Sequence, residues 1–152
     1  PNGKGLDSHW QKTAFALLVG VILHALYKAQ DEGSAATLPA VDAMLANPNR
    51  DIAELWMEMA TYGHLDGQNH PAVGSAARDM MDRPEEEAGS VLSTAKSYLA
   101  LYRDPVVAQV TCRCDWRIAD LIADGRPTTL YLVVPPSDIS RTKPLIRLVF
   151  FF

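Results

Sequence analysis

The chain has 152 residues, 48% of them hydrophobic and 21% charged, with a formal net charge of −4. These values fit one globular domain with its own buried core, and they exclude wholesale disorder and collagen-like or coiled-coil compositions. Its 14 Lys and Arg against 18 Asp and Glu leave no basic surplus for a dedicated duplex-DNA binder.

Residues 1–10, PNGKGLDSHW, are polar and glycine-rich and do not form a secretion signal. The most apolar stretch near the start, residues 15–26, contains His24 and falls short of the ~20 residues that a bilayer span needs. The expectation is a soluble, cytoplasmic chain. Its start on Pro1 and its end on Phe150, Phe151 and Phe152 are expected of a fragment of a longer protein, because an apolar end needs cover.

The first 108 residues read as helical. Asp7 and Ser8 are cap candidates before Trp10, Phe15, Leu18, Ile22 and Leu26, which recur at three and four residues. Gly33 and Ser34 end this helix. Thr37 caps a short second one with Pro39 in its first turn and Val41, Met44 and Leu45 on its face. Asn47-Pro48-Asn49 is a break, and Asn49 is placed to cap a third helix carrying Ile52, Leu55, Trp56, Met59 and Tyr62. Gly63 stops it. A polar connection, Asp66 to Pro71, leads to a small-residue helix with Val73, Ala76, Ala77 and Met80 at helical spacing. Pro84 and three glutamates, Glu85, Glu86 and Glu87, open the next, where acids favour the positive dipole end. Its stripe is Val91, Ala95, Tyr98, Leu99 and Tyr102, and Asp104-Pro105 ends it.

The pattern changes after about residue 110. Trp116 to Ile122 gives a short helical turn, and residues 124–127, DGRP, a chain reversal. Residues 128–134, TTLYLVV, form an apolar, β-branched run that predicts a strand buried on both faces. Pro135-Pro136-Ser137-Asp138 follows. Asp138 or Ser140 can cap a last helix whose stripe is Pro144, Leu145, Leu148 and Phe152. Residues 1–112 carry a balance of −6 and residues 113–152 one of +2. The fold class expected is therefore mainly α: a helical bundle over residues 1–110, and over 111–152 a strand-turn-helix piece. One strand makes no sheet, so that piece needs strands from elsewhere.

Residue chemistry offers no catalytic constellation. Asn2-Gly3-Lys4-Gly5 lacks the spacing, the hydroxyl and the preceding strand of a phosphate loop. His9, His24, His64 and His70 show no helical metal-ligand spacing. His64, Asp66 and His70 could loosely collect a metal, but they read as polar loop residues, and His24 as a hydrogen-bonded packing residue. Glu54 and Glu58 share a helix face, but no histidine accompanies them, so a metal carboxylate site is not expected. Ser90, Ser93, Thr94 and Ser97 are read as aids to close helix packing or as partner contacts, since no G-x-S-x-G elbow accompanies them. Cys112 and Cys114 are too close for an unstrained disulfide and are half a metal site at best. Arg78, Arg83, Lys96 and Arg103, on the last two long helices, are the candidate partner- or DNA-binding residues. No catalytic, nucleotide-binding or metal residue is assigned.

At the level of whole motifs the chain resembles the type IV coupling proteins, the conjugation ATPases of the VirD4/TraG/TraD family. The resemblance rests on four segments that together cover nearly the whole chain. These are residues 5–27, GLDSHWQKTAFALLVGVILHALY; residues 87–107, EAGSVLSTAKSYLALYRDPVV; residues 115–121, DWRIADL; and residues 130–148, LYLVVPPSDISRTKPLIRL. The last is the most specific, because the strand, the PPSD turn and the basic helix recur together. Cys112 and Cys114 stand where Ser- or Thr-like residues are expected, and Phe150 to Phe152 where a polar continuation is expected.

The resemblance implies a RecA-like nucleotide-binding domain with an all-α domain inserted in it. Residues 1–110 match the insertion, and residues 111–152 the return into the RecA-like sheet. The phosphate loop lies upstream and the Walker B aspartate downstream, so no ATP-contacting residue is carried over and this stretch is not expected to be an enzyme. ATP and Mg are implied for the full-length family, which is implied to be membrane-anchored, hexameric and placed at the cytoplasmic face of the inner membrane. The all-α domain is implied to recognise the transfer substrate: relaxase and relaxosome proteins, secreted effectors or, weakly, DNA. Two rival readings are an NTPase fragment of the DNA-pumping motor and an unrelated helical interaction module with a C-x-C metal site. The orphan strand and the apolar end also make a dimer an expectation.

Overall fold

A computed structural model describes residues 8–123, 125 and 128–150. Asp7, the Gly3–Lys4–Gly5 stretch, most of the 124–127 reversal, Phe151 and Phe152 lie outside the described residues. The chain divides into two compact units, Pro1–Cys112 and Arg113–Phe152.

In the first unit, α1 (His9–Glu32) starts on Ser8. The Ser8 hydroxyl accepts from the Gln11 amide, and the Gln11 side chain accepts from the Ser8 amide, so two orphan donors are satisfied reciprocally. Gly33 closes the helix in the left-handed conformation. Thr37 caps α2 (Leu38–Ala46), with Pro39 in the first turn. The cap of α3 (Ile52–Thr61) is Asp51 rather than Asn49: the Asp51 carboxylate accepts from the Ala53 amide, while the Asn47 side chain accepts from the Asn49 amide to hold the preceding turn. Two further helices complete the bundle, α4 (Pro71–Met81) and α5 (Glu85–Leu99), and a 3-10 turn, Ala100–Arg103, continues α5.

Asp104 ends the α5 segment as expected, closing the 3-10 turn that continues it, and the same Asp-Pro pair then opens another helix. Asp104 accepts from the Val106 and Val107 amides and starts a sixth helix, α6 (Pro105–Val110), with Pro105 in its first turn. Asp-Pro is as good a helix start as a helix stop, and the buried Val107 tips the balance by joining the core.

The bundle is organised around α1, which packs against α2, α4 and α5, while α3 packs against α4 and α2 against α5. Its core joins Ala14, Leu17, Val21 and Ala25 of α1 to Val41, Leu45, Leu55, Met59, Val73, Ala77, Val91 and Ala95. The α1–α4 crossing is close because Gly20 has no side chain: a Cβ there would stand 2.5 Å from the Ala76 Cβ. The helix runs 24 residues, so it is long and apolar enough to cross a bilayer, contrary to the expectation from its apolar run. Its buried stripe and the buried His24 instead read as a core helix of the bundle.

In the second unit, a 3-10 turn (Ile118–Leu121) and another (Pro136–Asp138) precede α7 (Ile139–Phe150). The Thr142 hydroxyl donates to the Asp138 carbonyl in the first turn. The expected strand at 128–134 does not form among the described residues: a strand exists only by pairing, and no ladder partner is present. Leu130, Leu132 and Val134 instead line a groove with Ile139, Ile146 and Phe150, leaving Tyr131 and Val133 exposed. Within α7 it is Ile139, Ile146 and Phe150 that line this groove, whereas Leu148 of the expected stripe does not.

Candidate functional site

The four basic candidates do not share one patch. Lys96 of α5 and Arg103 of the following 3-10 turn come together, with Gly89, Leu92, Ser93 and Ser97, around an open groove. Arg78 is exposed in the last turn of α4. Arg83, in the α4–α5 connection, is largely covered and stands 3.7 Å from Glu87.

Arg103 is committed inside the fold. Its Nε donates to both oxygens of Asp42 and its Nη2 donates to Asp42 Oδ1 at 2.9 Å, a forked pair that ties the end of α5 to α2. The Asp42 side chain is only 8% exposed while that of Arg103 is 47% exposed, so the carboxylate depends on the guanidinium far more than the reverse. Arg103→Ala is accordingly expected to destabilise the bundle by about 2–3 kcal/mol, by leaving a buried charge uncompensated. Arg103→Lys should recover part of that but not the fork. Urea denaturation midpoints of the two variants check this.

The hydroxyl-rich face of α5 is satisfied mostly by its own helix. Ser90 donates to the Glu86 carbonyl, Thr94 to that of Ser90 and Ser97 to that of Thr94. Ser93 and Ser97 remain at the groove wall, where their oxygens can accept or donate. The arrangement suits reversible recognition of a polar surface and holds no nucleophile–base pair. Cys112 and Cys114 are exposed thiols donating to the Gln109 and Trp116 carbonyls.

A second cluster lies where α1, α3 and the loop after α3 meet. His24 of α1 is fully buried, and its Nδ1 is 2.9 Å from Nε2 of His64. Its Nε2 faces Glu58 of α3 at 3.3 Å, near enough for electrostatic attraction but outside hydrogen-bond geometry. Glu58 also accepts from Lys28 at 2.6 Å and from Arg50. Two expectations are corrected here. Glu58 does have a histidine beside it, supplied by another helix. His64 is not a solvated loop residue: at 6% exposure it is part of the interior. His70 serves as the cap of α4, its Nδ1 accepting from the Ala72 amide.

The loop is shaped to deliver His64. Asp66 and Gly67 both have positive φ, of 47° and 84°, and Leu65 and Gln68 bridge back on each other. The Asn69 amide group donates to the Met59 and Tyr62 carbonyls, which anchors the loop to the end of α3. The Tyr62 hydroxyl donates to Asp31 of α1. That bond, with burial, pushes the Tyr62 hydroxyl up to about 12. Burial alone would raise the Glu58 carboxyl, but the hydrogen bonds and charges of Lys28 and Arg50 hold it at about 2. Burial is the main cause that lowers His24, aided by His64 and Lys28 and opposed by Glu58. It also lowers His64, with His70 next.

Sequence reasoning missed this cluster because its members are far apart along the chain. The available signal was His24 and Lys28, one turn apart on an otherwise apolar helix, facing the lone carboxylate row of α3.

The family model described as type IV secretory system conjugative DNA transfer matches residues 1–152. Two curated Escherichia coli proteins, both named conjugal transfer protein TraG, are similar to the chain. One is 75% identical over 149 residues, 98% of this chain and 23% of its own length. The other is 70% identical over 149 residues, again 98% of this chain and 24% of its own length. The chain therefore spans less than a quarter of the length of these relatives. No solved structure matches it.

Proposed function

Since the chain belongs to the type IV secretory system conjugative DNA transfer family, we propose that its helical unit is the substrate-recognition part of a coupling protein at the cytoplasmic face of the inner membrane. In this reading residues 1–110 are the all-α domain and residues 111–152 the start of the return into a RecA-like sheet. The ATP and Mg chemistry, the membrane anchor and the hexamer interface belong to the remainder of the protein, and the chain described here turns over no nucleotide. Its ligands are relaxase and relaxosome proteins or secreted effectors, with DNA a weak one.

The observation that carries the reading is the groove of Ser93, Lys96, Ser97 and Arg103 on a bundle that closes its own core without it. Leu92 at the base of the groove packs against the core, while Ser93, Lys96 and Ser97 on its wall are left for a partner. Its walls offer hydroxyls and one flexible ammonium, which suit a protein surface with acidic and amide groups. The −6 balance of residues 1–112 disfavours naked DNA as the direct ligand. Because Arg103 is held by Asp42, Arg83 is largely covered and Arg78 lies off the groove, the informative variant is Lys96→Ala. It should weaken binding of a cognate relaxase about tenfold, a loss of ~1.4 kcal/mol, without moving the denaturation midpoint. Unchanged relaxase binding in a pull-down and titration would overturn the reading. So would binding to oligonucleotides alone that is lost steeply as salt rises.

A further inference from the structure

The hydrogen-bond directions around His64 are fixed by its neighbours. The His70 backbone N–H points at His64 Nδ1 at 3.3 Å, and the Asn69 amide nitrogen stands 3.5 Å from the same atom. Both are donors, so His64 Nδ1 is an acceptor and the ring hydrogen sits on Nε2. That hydrogen is given to His24 Nδ1 at 2.9 Å. His24 therefore carries its own hydrogen on Nε2, on the side of the ring where Glu58 Oε1 stands at 3.3 Å outside hydrogen-bond geometry. The chain of donors runs one way, from the His70 backbone through His64 and His24 towards Glu58, and both rings are neutral in it.

Such a chain has no place for another proton. The two free ring positions are His64 Nδ1 and His24 Nδ1, and each already accepts a hydrogen. A proton on His24 Nδ1 sets two N–H groups against each other across the ring pair. A proton on His64 Nδ1 sets the ring against the His70 backbone N–H. Glu58 cannot absorb the new charge fully, because Lys28 and Arg50 already share its carboxylate. The remaining groups around the pair are Tyr27 and Asp31 of α1, and Tyr62 and His70 of the loop. The Tyr62 hydroxyl engages Asp31, which keeps that carboxylate in partial use.

We propose that the His24–His64 pair is a proton-operated latch: it holds the loop of residues 62–70 onto α1, and uptake of a proton by the pair releases that loop while the rest of the bundle stays packed. The proposal does not depend on what the α5 groove binds. The release is local because the loop reaches the core chiefly through His64, whereas Val91, Ala95 and Leu99 of α5 are buried independently of it.

The sign follows from linkage. Folded, both rings are held neutral; with the loop open, each returns towards the ordinary histidine value of ~6.5. The open form therefore binds more protons below that value, and opening becomes easier as pH falls. Each proton taken up raises the opening constant about tenfold per pH unit below ~6.5, and two raise it about a hundredfold. Glu58 stays ionised throughout the window from 6.5 to 4.5, since its carboxyl is held at about 2.

The test is amide hydrogen exchange on the 152-residue chain between pH 7.5 and 5, corrected for intrinsic rates, together with imidazole nitrogen shifts of His24 and His64. Protection at residues 64–70 should fall at least tenfold per pH unit below 6.5 while α5 keeps its protection, and the ring shifts should follow the same curve. In the variant His24→Gln with His64→Gln, whose side chains hydrogen-bond without titrating, the loop profile should be flat. Constant loop protection in the wild type would overturn the proposal, as would loss of protection over the whole bundle together. Protonation of both rings with the loop still protected would do so as well. The wild-type arms decide the matter even where the double variant does not fold.

Discussion

Replacing Glu58 with alanine should destabilise the helical unit by about 2–3 kcal/mol, as large a loss as that expected of Arg103→Ala. Glu58 takes hydrogen bonds from Lys28 and Arg50 and faces His24, and so joins α1, α3 and the turn before α3 through one carboxylate. Its removal leaves two cations of 30% and 25% side-chain exposure side by side. These can turn partly to water, which keeps the loss below the ~3–5 kcal/mol of a fully buried broken pair. His24 cannot turn to water: its fully buried Nε2 loses the electrostatic attraction of the carboxylate 3.3 Å away. Glu58→Gln keeps the shape and one acceptor, so it should lose less than alanine, and salt should narrow the difference. The pH dependence has a definite sign. Glu58 is held at about 2 when folded and titrates near 4.5 when unfolded, so its stabilisation is complete above 4.5 and fades as pH falls towards 2. The gap between wild type and Glu58→Gln, read as denaturant midpoints, should therefore be constant from pH 7 to 5 and close below 4.5. A gap as wide at pH 3 as at pH 7 would mean that Glu58 acts by packing rather than by charge.

Gly20→Val should cost about 3 kcal/mol, and it tests how the two central helices meet. Any Cβ at this position stands 2.5 Å from the Ala76 Cβ, with Met59 Cε at 3.5 Å and the Ala72 carbonyl at 3.6 Å behind it. Carbon atoms in contact prefer ~3.5–4.0 Å. Neither Ala76 nor the backbone has a rotamer to yield, so α1 and α4 must separate by about 1 Å, a shift that disturbs Val73, Ala77 and Val21 at once. Helix propensity works the other way, since replacing a mid-helix glycine gains up to ~1 kcal/mol, which makes a net loss diagnostic of the contact. Ala76→Gly in the same chain should return part of the stability. A double-mutant cycle with a coupling of 1 kcal/mol or more would confirm that the two positions oppose each other across the crossing, and additive effects would refute it. Because α4 also carries Arg78, this variant separates a loss of partner binding through displaced helices from a loss of surface charge.

Local signals in the chain were strong for the helices and weak for the interior chemistry. The caps at Ser8 and Thr37, the left-handed stop at Gly33 and the buried stripe of Val91, Ala95 and Leu99 all depend on residues within one or two turns, so spacing reveals them. The cap of α3 went to Asp51 instead of Asn49, because both choices are locally acceptable and packing decides between them; Asp104-Pro105 ended the α5 segment as expected and in addition began α6, which the spacing had not shown. The mainly α class follows from the periodicity of the first 110 residues. The strand expected at 128–134 required a partner strand, and hydrophobic composition does not provide one. The family was legible in the sequence through four segments, above all the PPSD turn with its basic helix.

Tertiary structure alone showed which charges are spent. Lys96 and Arg103 look equivalent in sequence, yet Arg103 is forked onto a nearly buried Asp42 sixty-one residues away and Lys96 stands at an open groove. His64 looks like part of a polar loop, yet a left-handed turn at Asp66 and Gly67 and the Asn69 bridge to α3 carry it onto His24, forty residues earlier. The physical reason is range. Helix caps are set by interactions within a few residues, which the order of the chain displays, whereas the buried face of α1 is Ala14, Leu17, Leu18, Val21 and Ala25, with Trp10, Phe15 and Leu26 of the expected stripe exposed. Ion pairs and ring contacts are set by which helix faces meet, and that depends on long-range packing such as the Gly20–Ala76 crossing.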